Sequence, residues 1–141
     1  MRVAVLDTGA FSALSPATER GRARLRALRE RVEDLAVPAV VLSEGLLSGH
    51  PGRDYHVQRL LTFVAIEPVD EDLGHAAGRL RTMARRDGAD PAPSGVDATV
   101  VALADARSAI DDVVIITSDP DDLRTLVVHA EHRRRIQVQP V

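Results

Sequence analysis

Acidic side chains invite the first chemical question, because carboxylates gathered in one pocket repel one another unless they take up protons or share a cation. Four of them stand where a fold could gather them. Asp7 follows the apolar run Val3-Ala4-Val5-Leu6, and Glu44 lies in the largely apolar stretch Val41-Leu42-Ser43-Glu44-Gly45-Leu46-Leu47. Asp97 sits just inside a segment opened by Ser94, and Asp119 follows Val113-Val114-Ile115-Ile116 after Thr117 and Ser118. Oxygen-only ligation suits a hard divalent ion, Mg²⁺ or Mn²⁺. Such an ion activates water and neutralises charge building on a phosphodiester, so chemistry on a phosphate backbone is the natural use of the set. Each acid also has a plainer explanation, since carboxylates in the first turn of a helix cap it or complement its dipole. Asp119-Pro120-Asp121-Asp122 reads as a helix start on those grounds alone, and for Asp97 and Asp119 taken singly the two explanations stand level. Asp7 differs, because an acid abutting a buried strand needs a partner. Glu44 is a lone acid in an apolar segment.

The elements that must position these acids follow from apolar periodicity and turn chemistry. Residues 3–6 read as a buried strand, followed by a short helix over 10–14 that Ser15-Pro16 breaks. An arginine-rich helix spans about 18–32, with Leu25, Leu28 and Val32 on one face. A strand at 35–37 leads past Pro38 into a helix over 41–47, and 48–52 is a Gly/Pro loop. Asp54 is placed to cap the next helix, with Val57, Leu60, Leu61 and Val64 as its stripe. Residues 64–66 form a third strand, Asp70 caps a helix to about Arg86, and 88–93 is a loop. Ser94 opens a helix through 98–104. Residues 113–116 are the clearest strand, Pro120 starts a helix toward His129, and 135–138 alternate as an edge strand. Strands alternating with helices predict a parallel sheet with helices on both faces. In such sheets ligands bind beyond the carboxyl ends of the strands, where the strand order switches. Asp7, Glu44 and Asp119 belong to that edge, and Asp97 to the first turn of its helix.

Composition narrows the chemistry. The 141 residues suit one domain (1–141); apolar residues make up 45% and aromatics 2%, so the core must be aliphatic. The absence of cysteine excludes disulfides and thiolate-bound zinc. All 18 basic residues are arginine. A GC-rich codon bias explains that without function, yet it bars any mechanism needing lysine, and arginine suits forked phosphate contacts. The net charge of −3 does not advertise nucleic-acid binding, and scarce aromatics argue against a base-stacking single-strand binder. No Gly-rich phosphate loop or Gly-x-Ser-x-Gly elbow occurs. No apolar run approaches the roughly twenty residues of a bilayer span, and the start of the chain is too short in apolar residues for a signal peptide, so the expectation is a cytoplasmic domain without membrane association.

Other polar groups have simpler readings. Arg20, Arg22, Arg24, Arg26, Arg29 and Arg31 crowd one helix, most simply as a solvated face; phosphate contact is the functional alternative. Arg133-Arg134-Arg135 shares that ambiguity, with solubility the first reading. His129 and His132 are read as surface histidines, and His50, His56 and His75 carry no assigned role.

Val5-Leu6-Asp7-Thr8, Leu42-Ser43-Glu44, Val96-Asp97-Ala98 running into Val101-Ala102-Leu103-Ala104, and Ile116-Thr117-Ser118-Asp119-Pro120-Asp121-Asp122-Leu123 occur in that order. Over essentially its whole length the sequence resembles the PIN domain, most closely the VapC toxins of VapBC toxin–antitoxin modules. The resemblance implies a three-layer α/β/α fold with a parallel five-stranded sheet in order 3-2-1-4-5. It implies a Mg²⁺- or Mn²⁺-dependent endoribonuclease acting through metal-activated water, often on structured RNA such as tRNA. It further implies a homodimer and inhibition by a VapB-like antitoxin, for which the arginine-rich helix is a candidate docking surface. Asp7, Glu44, Asp97 and Asp119 match the family's acidic quartet. Asp7 and Asp97 are the first choices as direct metal ligands; Glu44 and Asp119 act directly, through water, or by orienting the nucleophile. Thr8 and Ser118 match supporting polar positions, and Asp122 an additional acid of some members. The proline-rich, acidic loop 87–93 and Gly95 depart from the pattern without removing an acid. Receiver domains and haloacid-dehalogenase-type phosphatases also place acids beyond parallel strands, but ordinarily need a lysine. A catalytically silent PIN-like module that binds protein or RNA is the other reading; a missing carboxylate would mark it, and none is missing.

Overall fold

The computed structural model describes residues 2–141. Five strands, β1 (Arg2–Leu6), β2 (Asp34–Pro38), β3 (Ala65–Glu67), β4 (Asp112–Thr117) and β5 (Ile136–Pro140), form one parallel sheet in order β3-β2-β1-β4-β5. Around it lie α1 (Thr8–Ala13), α2 (Glu19–Arg31), α3 (Pro51–Leu61), α4 (Glu71–Arg86), α5 (Gly95–Ser108) and α6 (Pro120–Val127). Val3 to Leu6 and Val113 to Thr117 are buried throughout, as central strands covered on both sides must be. Right-handed crossovers put the helices linking β1, β2 and β3 on one face and those linking β3, β4 and β5 on the other. The packing follows: α4, α5 and α6 contact one another, and α1 contacts α2.

α5 is apolar on all sides, with every residue from Ala98 to Ala104 buried. Its Ser94 hydroxyl accepts from the Asp97 amide (3.1 Å), which fixes its first turn. α4 is amphipathic instead, burying Ala77, Leu80 and Ala84 along one stripe, with Asp70 capping its start as read from the sequence.

Three local expectations are corrected. The helix expected over 41–47 is a 3₁₀ segment, Ala39–Glu44, stopped by Gly45 in the left-handed region at φ 76°. The Ser43 hydroxyl donates to the Val40 carbonyl at 2.6 Å, a three-residue closure that favours the tighter turn. Glu44 is therefore the last residue of a turn, not part of an apolar helix, and Leu42 and Leu47 are exposed. Asp54 does not cap α3. Pro51 sets the first turn with His50 as cap, while the Asp54 carboxylate accepts from the Ser48 and Gly49 amides at 2.7 and 2.9 Å. The Ser48 amide holds that carboxyl below its ordinary value. His129 is also more enclosed than a surface histidine, with 11% of its side chain exposed and Nε2 3.3 Å from Asp87.

Candidate active site

β1 and β4 are neighbours whose crossovers leave in opposite directions, so the space beyond their carboxyl ends is the switch point of the sheet. The pairing aligns Leu6 with Ile116, and the Asp7 amide extends the ladder to the Ile116 carbonyl at 3.0 Å. Asp7 is thus fixed in backbone before its side chain is considered. The residue is 6% exposed and its carboxylate is fixed by one hydrogen bond to each oxygen, with a lone pair left free on both: Oδ1 accepts from the Thr8 amide at 2.7 Å, capping α1, and Oδ2 accepts from the Thr117 hydroxyl at 2.8 Å. The same Thr117 oxygen accepts from the Asp119 amide at 2.9 Å. One buried threonine therefore ties the ends of β1 and β4 together through the acid of one and the backbone of the other.

Thr117 received no role from the sequence. The available signal was a hydroxyl ending an otherwise aliphatic strand, since a buried hydroxyl without a partner is costly. Gly9 likewise carries no cue in the sequence. A Cβ there would lie 1.9 Å from the Ser118 Oγ, so only glycine lets α1 and the loop after β4 close on one another.

Asp97 enters from the first turn of α5, half-buried. Desolvation raises its carboxyl above the ordinary 3.8; the hydrogen bonds from the Ser94 hydroxyl and amide oppose this, and the charges of Asp7 and Asp122 add to the rise. Asp97 is therefore within the fields of two other acids. Among the described residues no arginine or histidine pairs with Asp7, Asp97, Asp119 or Asp122.

The remaining sequence candidates are placed less tightly. Asp119 occupies the cap position of α6 but makes no side-chain cap bond, so its exposed carboxylate is not consumed by capping. Glu44 is exposed and lines a cleft of ≈ 750 Å³ with Thr8, Gly9, Ser12, Arg53 and His56. Ser118 is exposed above Gly9, and Asp122 lies in the first turn of α6. Among the described residues no three His, Asp or Glu side chains gather tightly enough to hold a metal ion by themselves. The charges of Asp7 and Asp122 bear on Asp97, Asp119 is joined to Asp7 through Thr117, and Glu44 lines a separate cleft that Thr8 shares. The arrangement can hold an ion through one or two carboxylates, with water and substrate oxygens completing the shell, which is the usual habit of Mg²⁺.

No helix among the described residues is long and apolar enough to cross a membrane. No curated protein matches the sequence. Among solved structures, VapBC2 from Rickettsia felis, bound to a DNA fragment from its promoter, superposes with a TM-score of 0.72 at 14% identity, over 99% of this chain and 98% of that one. VapBC-5, a VapBC toxin–antitoxin member from Mycobacterium tuberculosis, gives 0.65 at 22% identity, over 99% and 98%. VapC20 from Mycobacterium tuberculosis, described as a Sarcin-Ricin loop cleaving toxin, gives 0.58 at 25% identity, over 84% and 92%. These likenesses agree with the five-stranded order 3-2-1-4-5. The PIN domain family model matches residues 4–127, and the chain belongs to that family.

Proposed function

We propose that this chain is a Mg²⁺- or Mn²⁺-dependent endoribonuclease, the toxin member of a VapBC-type pair, acting in the cytoplasm as a homodimer on structured RNA such as tRNA. The observation that carries the reading is the pair of acids at the switch point of the sheet: Asp7, fixed at the end of β1 by the Thr8 amide and the Thr117 hydroxyl, and half-buried Asp97 in the first turn of α5, neither paired with a cation among the described residues. Like charges brought together at an α/β ligand edge are stabilised by a cation, and an oxygen-only donor set suits a hard one. Asp7 and Asp97 would hold it. When bound, such an ion activates a water and neutralises charge developing on the phosphodiester. The neighbours support the partner, being VapBC complexes and a VapC toxin named for RNA cleavage.

The protein's own groups have separable tasks. Thr117 and the Thr8 amide hold the Asp7 carboxylate in one orientation, so little reorganisation remains when the site fills. Thr117 also sets the backbone at Asp119, leaving that carboxylate uncommitted and able to orient water or accept a proton. Glu44, Thr8 and Ser12 line the cleft through which a strand would approach, and Ser118 closes the other side over Gly9.

The purified protein is expected to cut RNA with Mg²⁺ or Mn²⁺ and to stop with a chelator; Asp7→Asn and Asp97→Asn are expected to abolish cutting while remaining folded. Variants that cleave as fast as the parent would remove those residues from the mechanism. Induced expression is expected to arrest growth, and unimpaired growth with soluble, metal-competent protein would contradict the toxin assignment. Light scattering checks the dimer.

A further inference from the structure

The arginine-rich helix singled out in the sequence remains unused by this mechanism. Its charge is not spread evenly. Arg22, Arg26 and Arg29 recur at helical spacing on one side of α2 and face Arg59 of α3 across a groove of ≈ 580 Å³, in which Glu30 is the one acidic lining residue. All four guanidiniums belong to exposed residues, and among the described residues none forms an ion pair. Four unneutralised cations around one groove specify a polyanion.

The aromatic residues narrow the choice. The chain has one tyrosine and two phenylalanines. Phe11 is buried, whereas Tyr55 and Phe63 are 56% and 44% exposed. Phe63 lines the groove with the Arg29 guanidinium 4.7 Å above its ring, and the Tyr55 hydroxyl accepts from Arg59 at 3.2 Å. Phosphate-contacting arginines around a single exposed ring, one face of which the Arg29 guanidinium covers, make a groove that reads backbone charge and holds at most one base, which a chain this poor in aromatics permits. An acidic peptide would use the charges but not the ring face. A second copy meeting the same patch about a two-fold axis would set arginine against arginine.

The groove's position points the same way. Gly52, Arg53, His56 and Val57 of α3 line the cleft that contains Glu44 and Thr8, while Arg59 and Phe63, farther along, line the arginine groove. Ser15 and Ala17 border the first cavity and Pro16 the second, so the two adjoin across a single turn of chain. A strand lying in the cleft of Glu44 and Thr8 and continuing past that turn would meet the arginines.

Resting on the ribonuclease reading, we propose that the α2–α3 groove is a backbone-binding exosite for the single-stranded segment of RNA flanking the cut, with Arg22, Arg26, Arg29 and Arg59 on phosphates and Phe63 against a base. It contributes affinity and not chemistry. A substrate too short to reach it is cut without its help.

The test uses the full chain carrying Arg22→Gln, Arg26→Gln, Arg29→Gln and Arg59→Gln together. A control carries Arg85→Gln, Arg86→Gln, Arg133→Gln and Arg134→Gln, which removes the same charge from exposed positions elsewhere. Circular dichroism confirms that both fold. Binding of a labelled single-stranded RNA of about twenty nucleotides is followed by anisotropy in chelator across a salt series. The groove variant is expected to bind at least about tenfold more weakly, with a salt slope flatter by about 0.7 for each phosphate that is no longer neutralised. The control is expected to match the parent. With metal restored, KM for long RNA rises in the groove variant while kcat holds. Equal losses in both variants would reduce the effect to net charge and overturn the proposal, as would a groove variant that binds like the parent. Polyglutamate binding that depends on these arginines, without RNA binding, would assign the groove to an acidic partner instead. A parent that binds RNA through the groove yet cuts none would sink the ribonuclease reading alone; a parent that cuts and a groove variant that behaves identically would sink the exosite alone.

Discussion

The two ends of α5 treat carboxylates in opposite ways. At its carboxyl end, Arg107 reaches Asp34 at 3.7 Å and Glu67 at 3.5 Å. In the turn before, Asp105 accepts from the amides of Glu131 and His132 at 2.9 and 2.8 Å and meets His132 Nδ1 at 3.2 Å. At the amino end of the same helix, Asp97 has no cation partner among the described residues, and the charges of Asp7 and Asp122 bear on it. Arginine is plentiful here, with 18 copies, so the lack of one at the switch point is not a shortage of material. Compensated acids hold elements together. Uncompensated ones lower stability and are retained where something outside the chain completes them.

That contrast can be broken by substitution, most severely at the uncompensated end. Asp97→Asn or Asp7→Asn is expected to reduce RNA cutting by at least about 100-fold, more than removal of an orienting partner usually costs a metal site. Cutting within about tenfold of the parent would place the site elsewhere. Thr117→Val keeps the shape of the strand but frees Asp7 Oδ2, and is expected to lower activity or Mn²⁺ affinity by about 10- to 100-fold in an otherwise folded protein. Unchanged affinity would make Thr117 a simple tie between strands.

At the compensated end the readout changes from activity to stability. Asp105→Ala strands two backbone amides and the His132 ring, and is expected to cost about 1–3 kcal/mol in denaturant unfolding with cutting unaltered. A loss of activity at preserved stability would contradict the division. The smallest effect carries the opposite sign. Asp97→Asn is expected to raise the melting temperature of metal-free protein at neutral pH by about 2–4 °C. A carboxyl raised in the folded state keeps its proton better folded than unfolded, so stability falls as pH climbs from the ordinary 3.8 through the raised value, and the penalty persists above it. The gain from Asp97→Asn should therefore vanish below pH 3.8. A gain that is flat with pH would mean that packing, not charge, is being measured.

Much of this frame was legible in the residues. The runs Val3-Ala4-Val5-Leu6 and Val113-Val114-Ile115-Ile116 read as the buried strands that they are, and the helix starts read at Ser94 and Asp70 are ones that the structure keeps. The acids that follow those strands were visible for the same reason. What periodicity could not show were meetings across long separations. Thr117 reaches Asp7 over 110 positions, and Gly9 admits Ser118 only because two loops meet. The 3₁₀ turn at Glu44 is hidden in the sequence because its apolar residues fit an α-helix equally well, and the decision lies with Gly45 and the Ser43 hydroxyl. Asp54 misleads because a cap and a loop staple use the same residue type within a few positions. The arginine groove depends on α3 standing beside α2, which no single segment states.

The sharpest test of the uncompensated acids is calorimetric titration of Mn²⁺ into the parent and into Asp97→Asn at neutral pH. Saturable binding is expected for the parent, weakened at least about tenfold in the variant, since one charged ligand and the repulsion that favours the ion are both removed. Equal binding by the two proteins, or none by the parent, would contradict a cation site at the switch point.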